Sequence, residues 1–425
     1  MVNEKIKKTN FGQVPSEWEV NLFDEFLMFI GSGATPKGGS SVYLSQGIPF
    51  IRSQNVYQDG LRMDDIVFID NETHNKMARS KVMEHDVLLN ITGASIGRST
   101  YVPTGFGEAN VNQHVCILRP NSKVDYRFLS HFLNSFYGQK QIREEQAGQT
   151  REGLNYQQIR QFKLPLPPLL EQSKIAAVLT SVDDAIAKTE AIIKQTEVVK
   201  QGLMQQLLTK GIDHTEFKGT EFGKIPTEWE IKQLGEYIEE YKEKTTVNNQ
   251  YPVLTSSRKG LVFQTDYFNN RQVTTNENIG YHVIPRGFFT YRSRSDDGVF
   301  IFNVNNIIDR GIISYFYPVF KVVGVNPDFF ASVLNNYLSK QIAKVVVGTS
   351  QLVLSFNKLK QLKFAVPPLE EQQKIVRIFA SLDDQIRVNK LERDKKIELK
   401  KALMQSLLTG KVRVNVDENA EVVVV

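Results

Sequence analysis

Four short segments combine arginine or lysine with side chains that both donate and accept hydrogen bonds. They are residues 52–55, 92–98, 256–259 and 291–294. An arginine can bridge N7 and O6 of guanine, and an asparagine or glutamine can form the equivalent pair of bonds to adenine. These residue types suit a reader of the DNA major groove, although surface loops of many proteins have the same composition. The residues that we predict to contact DNA are Arg52, Ser53, Gln54, Asn55, Thr92, Ser95, Arg98, Ser256, Arg258, Lys259, Arg292 and Arg294.

The other reactive side chains form no catalytic pattern. Residues 33–40 have the outer spacing of a phosphate-binding loop, but Gly39 stands where that motif has its lysine. The six histidines do not have metal-ligand spacing, and the sequence contains neither an HExxH motif nor a nucleophile elbow. Both Pro-Pro pairs are followed by leucine, unlike the Asn-Pro-Pro-aromatic motif of adenine methyltransferases. The sequence therefore predicts a binding protein with no catalytic residue, no metal site and no cofactor of its own.

Composition limits the class of protein further. A chain of 425 residues with 41% hydrophobic side chains is long and apolar enough for two or three folded domains. Its single cysteine, Cys116, cannot form an internal disulfide, which favours a reducing compartment. No apolar run approaches the roughly 18 to 20 residues of a membrane span, and the first residues lack a signal-peptide core, so we predict a cytoplasmic protein. The net charge of +5 permits a polyanionic partner without requiring one.

The chain contains a long internal repeat. Residues 11–20 recur as residues 222–231, at an offset of 211. Residues 167–175 and 203–209 recur as 367–375 and 403–409, both at an offset of 200. The first half therefore carries 11 additional residues between the two kinds of motif, in a stretch where the halves are almost unrelated. Two similar frames hold two dissimilar inserts.

The repeated frame predicts two long helices over residues 171–209 and 371–409. The first segment contains one glycine and no proline, and the second contains neither. Each follows a Pro-Pro pair, and Glu171 and Glu371 complement the positive end of the helix dipole. Gly211 and Gly410 supply the stop signals. At 1.5 Å per residue each helix would be roughly 58 Å long.

Apolar residues at alternating spacings of four and three predict a coiled-coil seam along these helices. Equal length and a constant offset favour packing of one helix on the other, rather than separately on its own domain, and the connectivity makes the pair antiparallel. Polar positions near the middle of the seam are candidates for setting its register. The predicted apolar seam consists of Ile175, Leu179, Val182, Ile186, Ile193, Leu203, Leu207, Ile375, Phe379, Leu382, Ile386, Leu403 and Leu407.

Each insert, residues 20–165 and 231–365, is predicted to be mixed helix and strand. Short apolar runs flanked by Gly, Asn or Pro predict strands at residues 87–91, 115–118, 288–291 and 312–316. The first insert has 15 Lys/Arg against 14 Asp/Glu, and the second has 16 against 10. Any electrostatic attraction of a polyanion is therefore predicted to be stronger in the second insert.

The frame resembles the specificity subunit of type I restriction-modification enzymes. The resemblance is carried by the two Pro-Pro-Leu-x-Glu-Gln-x-Lys-Ile helix starts, the two Leu-Met-Gln-x-Leu-Leu-Thr helix ends and the two Pro-x-Glu-Trp-Glu entrances. Residues 86–90 and 93–97 add to it, and the second insert lacks a clean copy of residues 93–97. The resemblance covers essentially the whole chain.

The resemblance implies an α+β fold in which two globular α/β target recognition domains are joined by two long antiparallel helices that form a coiled coil, with a pseudo-two-fold internal repeat. The predicted boundaries are residues 1–166 and 211–366 for the recognition domains and 167–210 and 367–410 for the spacer helices. Residues 411–425 would be a C-terminal tail that packs near the N-terminal segment.

The function implied by the resemblance is a non-catalytic subunit that reads a bipartite, asymmetric double-stranded DNA site, with one domain for each half-site. The helices would set the gap and would dock two methylation subunits, which recruit restriction subunits. S-adenosylmethionine, ATP and magnesium would belong to those partners, in a complex that is an adenine DNA methyltransferase and an ATP-dependent endonuclease. The alternative is a structural coiled-coil adaptor whose two inserts bind proteins instead of DNA.

Overall fold

The computed structural model of the chain describes residues 6–146, 153–268, 277–348 and 351–415. The chain forms two compact units. Unit 1 comprises Met1–Ile192 and Asn389–Val425, and unit 2 comprises Ile193–Val388. Each unit therefore contains one insert, the first part of one long helix and the last part of the other.

The insert of unit 1 and its flanking frame contain thirteen strands among the described residues. Four short helices lie among them, and the first long helix follows. The strands are Ile6–Thr9 (β1), Gly12–Pro15 (β2), Glu19–Leu22 (β3), Leu27–Ser32 (β4), Ile48–Ile51 (β5), Val56–Tyr57 (β6), Gly60–Leu61 (β7), Val67–Ile69 (β8), Val87–Asn90 (β9), Ser99–Tyr101 (β10), Asn110–Val111 (β11), Val115–Pro120 (β12) and Lys163–Leu166 (β13). The helices are Asn71–Lys76 (α1), Tyr126–Asn134 (α2), Phe136–Gln146 (α3), Tyr156–Arg160 (α4) and Leu169–Lys210 (α5).

The second insert has the same kinds of element in the described residues, and a π-helical turn at Val333–Tyr337 separates two of its helices. The strands are Phe217–Thr220 (β14), Gly223–Pro226 (β15), Glu230–Gln233 (β16), Ile238–Tyr241 (β17), Leu254–Ser257 (β18), Gly260–Phe263 (β19), His282–Pro285 (β20), Phe289–Tyr291 (β21), Arg294–Ser295 (β22), Phe302–Val304 (β23), Arg310–Ile313 (β24), Val319–Val322 (β25), Leu352–Val353 (β26) and Lys363–Val366 (β27). The helices are Gln264–Tyr267 (α6), Pro327–Ser332 (α7), Ser339–Val345 (α8), Phe356–Gln361 (α9) and Leu369–Leu407 (α10).

Both inserts are built on the same antiparallel four-stranded sheet. The strand order is β10-β9-β12-β4 in unit 1 and β23-β21-β25-β17 in unit 2. Counted along the chain within each sheet, both orders are third, second, fourth, first. A short hairpin, β6–β7 in unit 1 and β18–β19 in unit 2, precedes the second of these strands. Two inserts with dissimilar sequences therefore share one topology.

The same asparagine contact secures the third strand of each sheet. In unit 1 the Asn134 side chain accepts a hydrogen bond from the Ser99 N–H (3.1 Å) and donates one to the Ser99 carbonyl (2.7 Å). In unit 2 Asn335 accepts from the Phe302 N–H (2.9 Å) and donates to the Phe302 carbonyl (3.0 Å). The third strand lies at the edge of each sheet. There the amide side chain bonds one backbone N–H and one carbonyl that a neighbouring strand would otherwise pair.

The repeated motifs at the helix starts have the same contacts in both units. Trp18 is fully buried and donates from Nε1 to Glu171 Oε2 at 3.2 Å, and Trp229 donates to Glu371 Oε2 at 2.9 Å. The next residue of each helix, a buried glutamine, donates to the carbonyl of the first proline of its Pro-Pro pair at 2.8 Å. The repeated motifs therefore form the same set of hydrogen bonds in both units. These bonds join the entrance segment of each unit to the start of a long helix.

The long helices pack in opposite directions within each unit. In unit 1, Asp183 pairs with Lys400 at 2.5 Å, and Lys396 Nζ donates to Thr189 Oγ1 at 2.9 Å, so residue numbers rise along α5 as they fall along α10. In unit 2, Lys200 pairs with Asp383. The Asp183–Lys400 and Asp383–Lys200 pairs are equivalent under the offset of 200. The predicted fold class, with its antiparallel helices and internal repeat, is confirmed.

The predicted seam positions all lie inside these helix pairs. Ten of the thirteen apolar side chains are buried, and Leu203, Leu382 and Leu403 are half-buried. Ile175 and Leu179 join the core of unit 1 together with Leu407, whereas Leu207 and Ile375 join the core of unit 2. Each insert therefore packs against the start of one long helix and the end of the other.

Glycines at the two helix ends adopt the left-handed conformation that the predicted stop signals require. Gly211 follows α5 with φ +65°, and a Cβ there would lie 2.3 Å from Glu371 Oε1. Gly410 lies three residues beyond α10 with φ +68°, and a Cβ there would lie 2.4 Å from Pro15 Cδ. Both positions favour glycine for two reasons: the backbone has a positive φ, and neighbouring atoms leave no room for a Cβ.

Three of the four predicted insert strands are observed nearly as predicted, and the fourth differs. The run 312–316 was expected to be one strand, but β24 covers Arg310–Ile313 and the chain then turns, with the Tyr317 N–H donating to the Ser314 carbonyl at 2.9 Å. The rings of Tyr315 and Phe316 pack on each other 4.1 Å apart and remain largely exposed. The apolar run is therefore split between a strand and an aromatic turn.

Candidate nucleic-acid interface

Each unit has a cleft between its hairpin and the loop that joins the second and third strands of its sheet. In unit 1 the cleft has a volume of about 420 Å³ and lies between residues 53–57 and residues 92–98. In unit 2 the cleft has a volume of about 560 Å³ and lies between residues 256–259 and residues 292–301. The shared topology brings together, in each unit, two segments that are about 40 residues apart in the sequence.

The cleft of unit 1 is lined mainly by neutral polar side chains. The Arg98 guanidinium lies 4.8 Å from the centre of the Tyr57 ring, within the range of a cation–π contact. Thr92 Oγ1 and His114 Nδ1 are hydrogen-bonded at 2.5 Å. The Gln54 side chain is exposed. One arginine, hydroxyls and an amide can therefore present several donors and acceptors with little net charge.

Asn90, at the end of β9, lies beneath the unit 1 cleft. Its backbone N–H donates to the Arg98 carbonyl at 2.9 Å, and its own carbonyl accepts from the Gly97 N–H at 2.9 Å. These bonds close the base of the loop formed by residues 92–98. The loop contains one 3₁₀ turn, Gly93–Ser95, which leaves Gly93 and Ala94 exposed at its tip.

The cleft of unit 2 is cationic. Arg258 and Lys259 come from the turn of the β18–β19 hairpin, and Arg292 and Arg294 come from the facing loop. All four side chains are exposed, and the Arg294 guanidinium lies 4.8 Å from the Phe316 ring centre. Asp266 and Asp296 supply two opposite charges to the lining. Four cations against these two carboxylates and Asp297, which pairs with Arg258, leave a small net positive charge, which suits a phosphate backbone.

An ion pair links the two sides of the unit 2 cleft. Arg258 Nη2 lies 2.5 Å from Asp297 Oδ2. Hydrogen bonds from the Arg258 guanidinium and the Ser295 hydroxyl, followed by the Val299 N–H, lower the pKa of Asp297 to about 2. Asp297 is therefore ionised near neutral pH and orients Arg258 towards the facing loop. The exposed pair has little effect on stability in water, so its consequence is geometric.

Ten of the twelve residues predicted to contact DNA line these two clefts. In unit 1 they are Ser53, Gln54, Thr92, Ser95 and Arg98, and in unit 2 they are Ser256, Arg258, Lys259, Arg292 and Arg294. The structure thus brings the predicted loops together in pairs, one pair in each unit.

Arg52 and Asn55 are not part of the cleft lining. Asn55 is buried, and its side chain accepts from the Arg52 N–H at 3.0 Å and donates to the Arg62 carbonyl at 2.9 Å. Arg52 Nη2 donates to the Asp65 carbonyl at 2.7 Å. Both side chains are therefore engaged in holding the hairpin segment, and DNA contact by either one stays a prediction.

Sequence reasoning did not identify several lining residues. Tyr57 and His114 line the cleft of unit 1, and Asp266 and Tyr267, on helix α6, line the cleft of unit 2. The histidines lack metal-ligand spacing, and the sequence carries no other signal that places His114 in a cleft. The arginine-rich loops carried a usable signal, whereas these residues become neighbours of those loops only through the sheet topology.

Other kinds of site are not evident in the part of the chain that the structure describes. No group of three or more His, Cys, Asp or Glu side chains there is arranged to hold a metal ion. No described helix is both long and apolar enough to cross a membrane. Burial raises the pKa of the Cys116 thiol to about 12, so this side chain remains protonated near neutral pH.

Comparisons with known proteins agree with this architecture. A putative type I restriction enzyme MjaX specificity subunit from Methanocaldococcus jannaschii is 28% identical over 427 residues, which cover 97% of each chain. The MjaVIII specificity subunit from the same organism is 25% identical, covering 97% of this chain and 96% of that protein. A chain from a structural study of complex assembly and conformational transition in a type I R-M system shares the fold, with a TM-score of 0.58 and 17% identity over 94% of this chain and 99% of that one.

The family described as the type I restriction modification DNA specificity domain matches residues 15–198 and 226–399. These two matches follow the internal repeat, and together they cover most of the chain. Specificity subunits are non-catalytic, in agreement with the sequence prediction of a binding protein without catalytic residues. The chain therefore belongs to the family of type I restriction modification DNA specificity domains, of which it carries two copies.

Proposed function

We propose that this specificity subunit reads a bipartite, asymmetric site in double-stranded DNA, with the cleft of each unit contacting one half-site. The observation that carries the proposal is that two inserts of dissimilar sequence place clefts at the same point of the same sheet topology. A shared position gives both clefts the same task, and different linings give them different base preferences.

The chemistry of the linings supports contact with DNA rather than with an apolar protein surface. Arginine, glutamine and hydroxyl side chains pair with base edges in the major groove, and lysine and arginine contact phosphates. The net positive charge of the unit 2 cleft, carried mainly by Lys259, Arg292 and Arg294, supplies a salt-dependent attraction, whereas the unit 1 cleft relies more on hydrogen bonds. Affinity at the two half-sites should accordingly respond differently to salt.

The long helices take the role of a spacer in this proposal. Paired antiparallel helices with polar contacts in their seam resist sliding, so their length would set the number of unread base pairs between the half-sites. The same helical region would dock two methylation subunits, which in turn recruit restriction subunits. S-adenosylmethionine, ATP and magnesium would be bound by those partners. The proposed location of this DNA-reading subunit is the cytoplasm.

Replacing Arg292 and Arg294 together with alanine tests the reading role. The assembled complex with methylation subunits is used to select preferred sites from random duplex DNA, and affinity is then measured at several salt concentrations. We expect weaker binding and lost preference at one half-site, an unchanged preference at the other, and a reduced salt dependence. A matched control removes Arg286 and Lys321, two exposed cations of unit 2 outside the cleft lining.

Unchanged selection and affinity in the cleft variant would exclude these arginines from the interface. If the wild-type complex selects no DNA sequence at all, the coiled-coil adaptor becomes the better description. Magnesium-dependent cutting by the isolated chain would instead contradict its non-catalytic role.

Lengthening both helices tests the spacer role. Inserting four residues after Thr189 and four after Asn389 adds about 6 Å to each helix. We expect the gap in the selected site to change by one or two base pairs while the bases of each half-site stay the same. An unaltered gap in a folded variant would refute the spacer role.

A further inference from the structure

Two buried asparagines hold the hairpin side of each cleft to the neighbouring sheet. Asn90, on β9, is completely buried. Its Nδ2 donates to the Ser53 carbonyl at 2.8 Å and to Ser95 Oγ at 3.1 Å. Ser53 belongs to one side of the unit 1 cleft and Ser95 to the other, so a single amide group spans the base of the cleft.

Asn303 holds the hairpin of unit 2 to the third strand of its sheet. It lies on β23, with 7% of its surface exposed. Its Nδ2 donates to Ser256 Oγ at 2.7 Å and to the Ser257 carbonyl at 2.9 Å. These serines precede the hairpin turn that carries Arg258 and Lys259, and Asn303 follows the facing loop after one intervening residue, Phe302.

The two contacts arise from different strands and therefore do not come from the sequence repeat. Asn90 precedes the loop of its cleft, on the second strand of the sheet, and Asn303 follows the loop of its cleft, on the third strand. In both cases one Nδ2 group donates to one serine hydroxyl and one backbone carbonyl. The two units thus fix the hairpin to the sheet through asparagines on different strands, which indicates that the distance between hairpin and sheet matters in both.

A buried amide is well suited to this task. Breaking its hydrogen bonds leaves a buried carbonyl without a partner, which is unfavourable, so alternative loop positions are disfavoured. Direct readout of bases depends on side chains held to within a fraction of an ångström. A hairpin free to shift would keep its cations near phosphates but would lose the alignment that distinguishes one base from another.

We propose that Asn90 and Asn303 are positioning residues that set base selectivity at the two half-sites without touching DNA. This inference rests on the proposed function, since it assigns roles within the same clefts. Each asparagine acts only on the cleft of its own unit. Loss of either contact reduces discrimination between bases in one half-site and has little effect on phosphate-dependent affinity.

The test uses Asn90→Ala and Asn303→Ala in the full complex with methylation subunits. A matched control is available in Asn110→Ala, because Asn110 is also completely buried and its Nδ2 donates to the Met77 carbonyl (3.1 Å) and to Ser80 Oγ (2.7 Å), away from the cleft lining. Selection from random duplex DNA gives the preference at every position of the site. Thermal unfolding of each variant measures the loss of stability that all three substitutions share.

We expect Asn90→Ala to reduce preference about tenfold at positions of one half-site, and Asn303→Ala to do so at the other, since one mismatched base pair typically weakens binding by about tenfold or more. Asn110→Ala should lose at least as much stability, because Asn110 Oδ1 is also hydrogen-bonded to His74 Nδ1 at 2.6 Å, and should keep the preference of both halves. A merely structural role would make the three variants alike. Unchanged preference in folded Asn90 and Asn303 variants, or equal loss in both halves, would overturn the inference.

Milder substitutions keep the test decisive if the alanine variants fail to fold. Asn90→Ser and Asn303→Ser retain a hydroxyl donor in a smaller side chain, and the same half-specific loss is expected at reduced size. The inference can fail while the proposed function stands, namely when wild type selects a bipartite site and the variants select the same one. Failure of the wild-type complex to select any site would overturn both.

Discussion

Removal of the Arg413 side chain is predicted to destabilise unit 1 by leaving a buried carboxylate without its cation. Glu171 is 1% exposed, and its carboxylate accepts from Arg413 Nε at 2.6 Å and from Nη2 at 2.9 Å. Hydrogen bonds from Arg413 to Glu171 raise the pKa of the guanidinium. Trp18 Nε1 is the other described donor to this carboxylate, at 3.2 Å.

The expected magnitude follows from the burial of the carboxylate. Breaking a buried ion pair by removing one partner costs about 3–5 kcal/mol, because the remaining charge stays out of water. The Arg413 side chain is 24% exposed, so water can partly replace it, and we expect a loss near the lower end, about 3 kcal/mol, for Arg413→Met. Neutralising the carboxylate as well, with Glu171→Gln, should restore stability to within about 1 kcal/mol of the starting protein.

Urea unfolding followed by tryptophan fluorescence measures these changes. The chain has two tryptophans, so a Trp229→Phe background makes Trp18, which packs in unit 1 beside the altered pair, the reporter. Lys401→Met is the matched control, since Lys401 pairs with Glu398 while both side chains are largely exposed, and it should change the free energy of unfolding by less than about 0.5 kcal/mol.

The double variant decides whether the reasoning is correct. If Glu171→Gln combined with Arg413→Met is as destabilised as Arg413→Met alone, the loss comes from missing packing or hydrogen bonds and not from an uncompensated charge. A positive coupling of about 2 kcal/mol or more between the two sites supports the electrostatic account.

Further outcomes are expected for His131 in unit 1 and for two glycines, one in the first long helix and one after the second. Burial, with a smaller contribution from Lys400, lowers the pKa of His131 from its usual 6.5 to about 3. Between these two pH values His131 is protonated in the unfolded chain but neutral in the folded chain. The free energy of unfolding therefore falls as the pH drops below about 6.5. At pH 5.5 this amounts to about 1.4 kcal/mol, so urea midpoints measured at pH 7.5 and 5.5 should differ less for His131→Gln than for wild type; equal differences would exclude this histidine. Gly202→Ala in α5, where a Cβ meets nothing within 4 Å, should stabilise the protein by about 0.5–1 kcal/mol. Gly410→Ala should destabilise it by about 1 kcal/mol or more, because Gly410 has a positive φ. Thermal unfolding checks the sign of each change, and stabilisation by both substitutions would refute the conformational argument.

The sequence predicted which loops line the clefts better than it predicted what each side chain does there. Arg258, Arg292 and Arg294 combine charge with neighbours typical of surface loops, and these signals are local. The amide side chains of Asn55 and Asn90 could in principle read a base, but Asn55 bonds two backbone groups and Asn90 bonds a carbonyl and a serine hydroxyl. Whether an amide faces a ligand or a carbonyl of its own chain depends on segments distant in sequence, so residue type could not decide it.

The repeat, the two long helices and their antiparallel direction followed from the sequence alone. Their signals are short-range or periodic: Pro-Pro pairs at the starts, glycines at the stops, and an apolar seam whose spacing matches the helical turn. The connectivity of a duplicated frame then fixed the direction. These features depend on backbone chemistry and amphipathic periodicity, which each segment carries within itself.

Only the tertiary structure decided that the two dissimilar inserts share one sheet order and place a cleft at the same point. Many combinations of apolar side chains can fill the same pleated core, so sequence similarity disappears while topology is retained. The pairing of residues 53–57 with 92–98, and of 256–259 with 292–301, depends on contacts between strands distant along the chain. Cross-strand neighbours are set by sheet order and register, which local sequence does not specify.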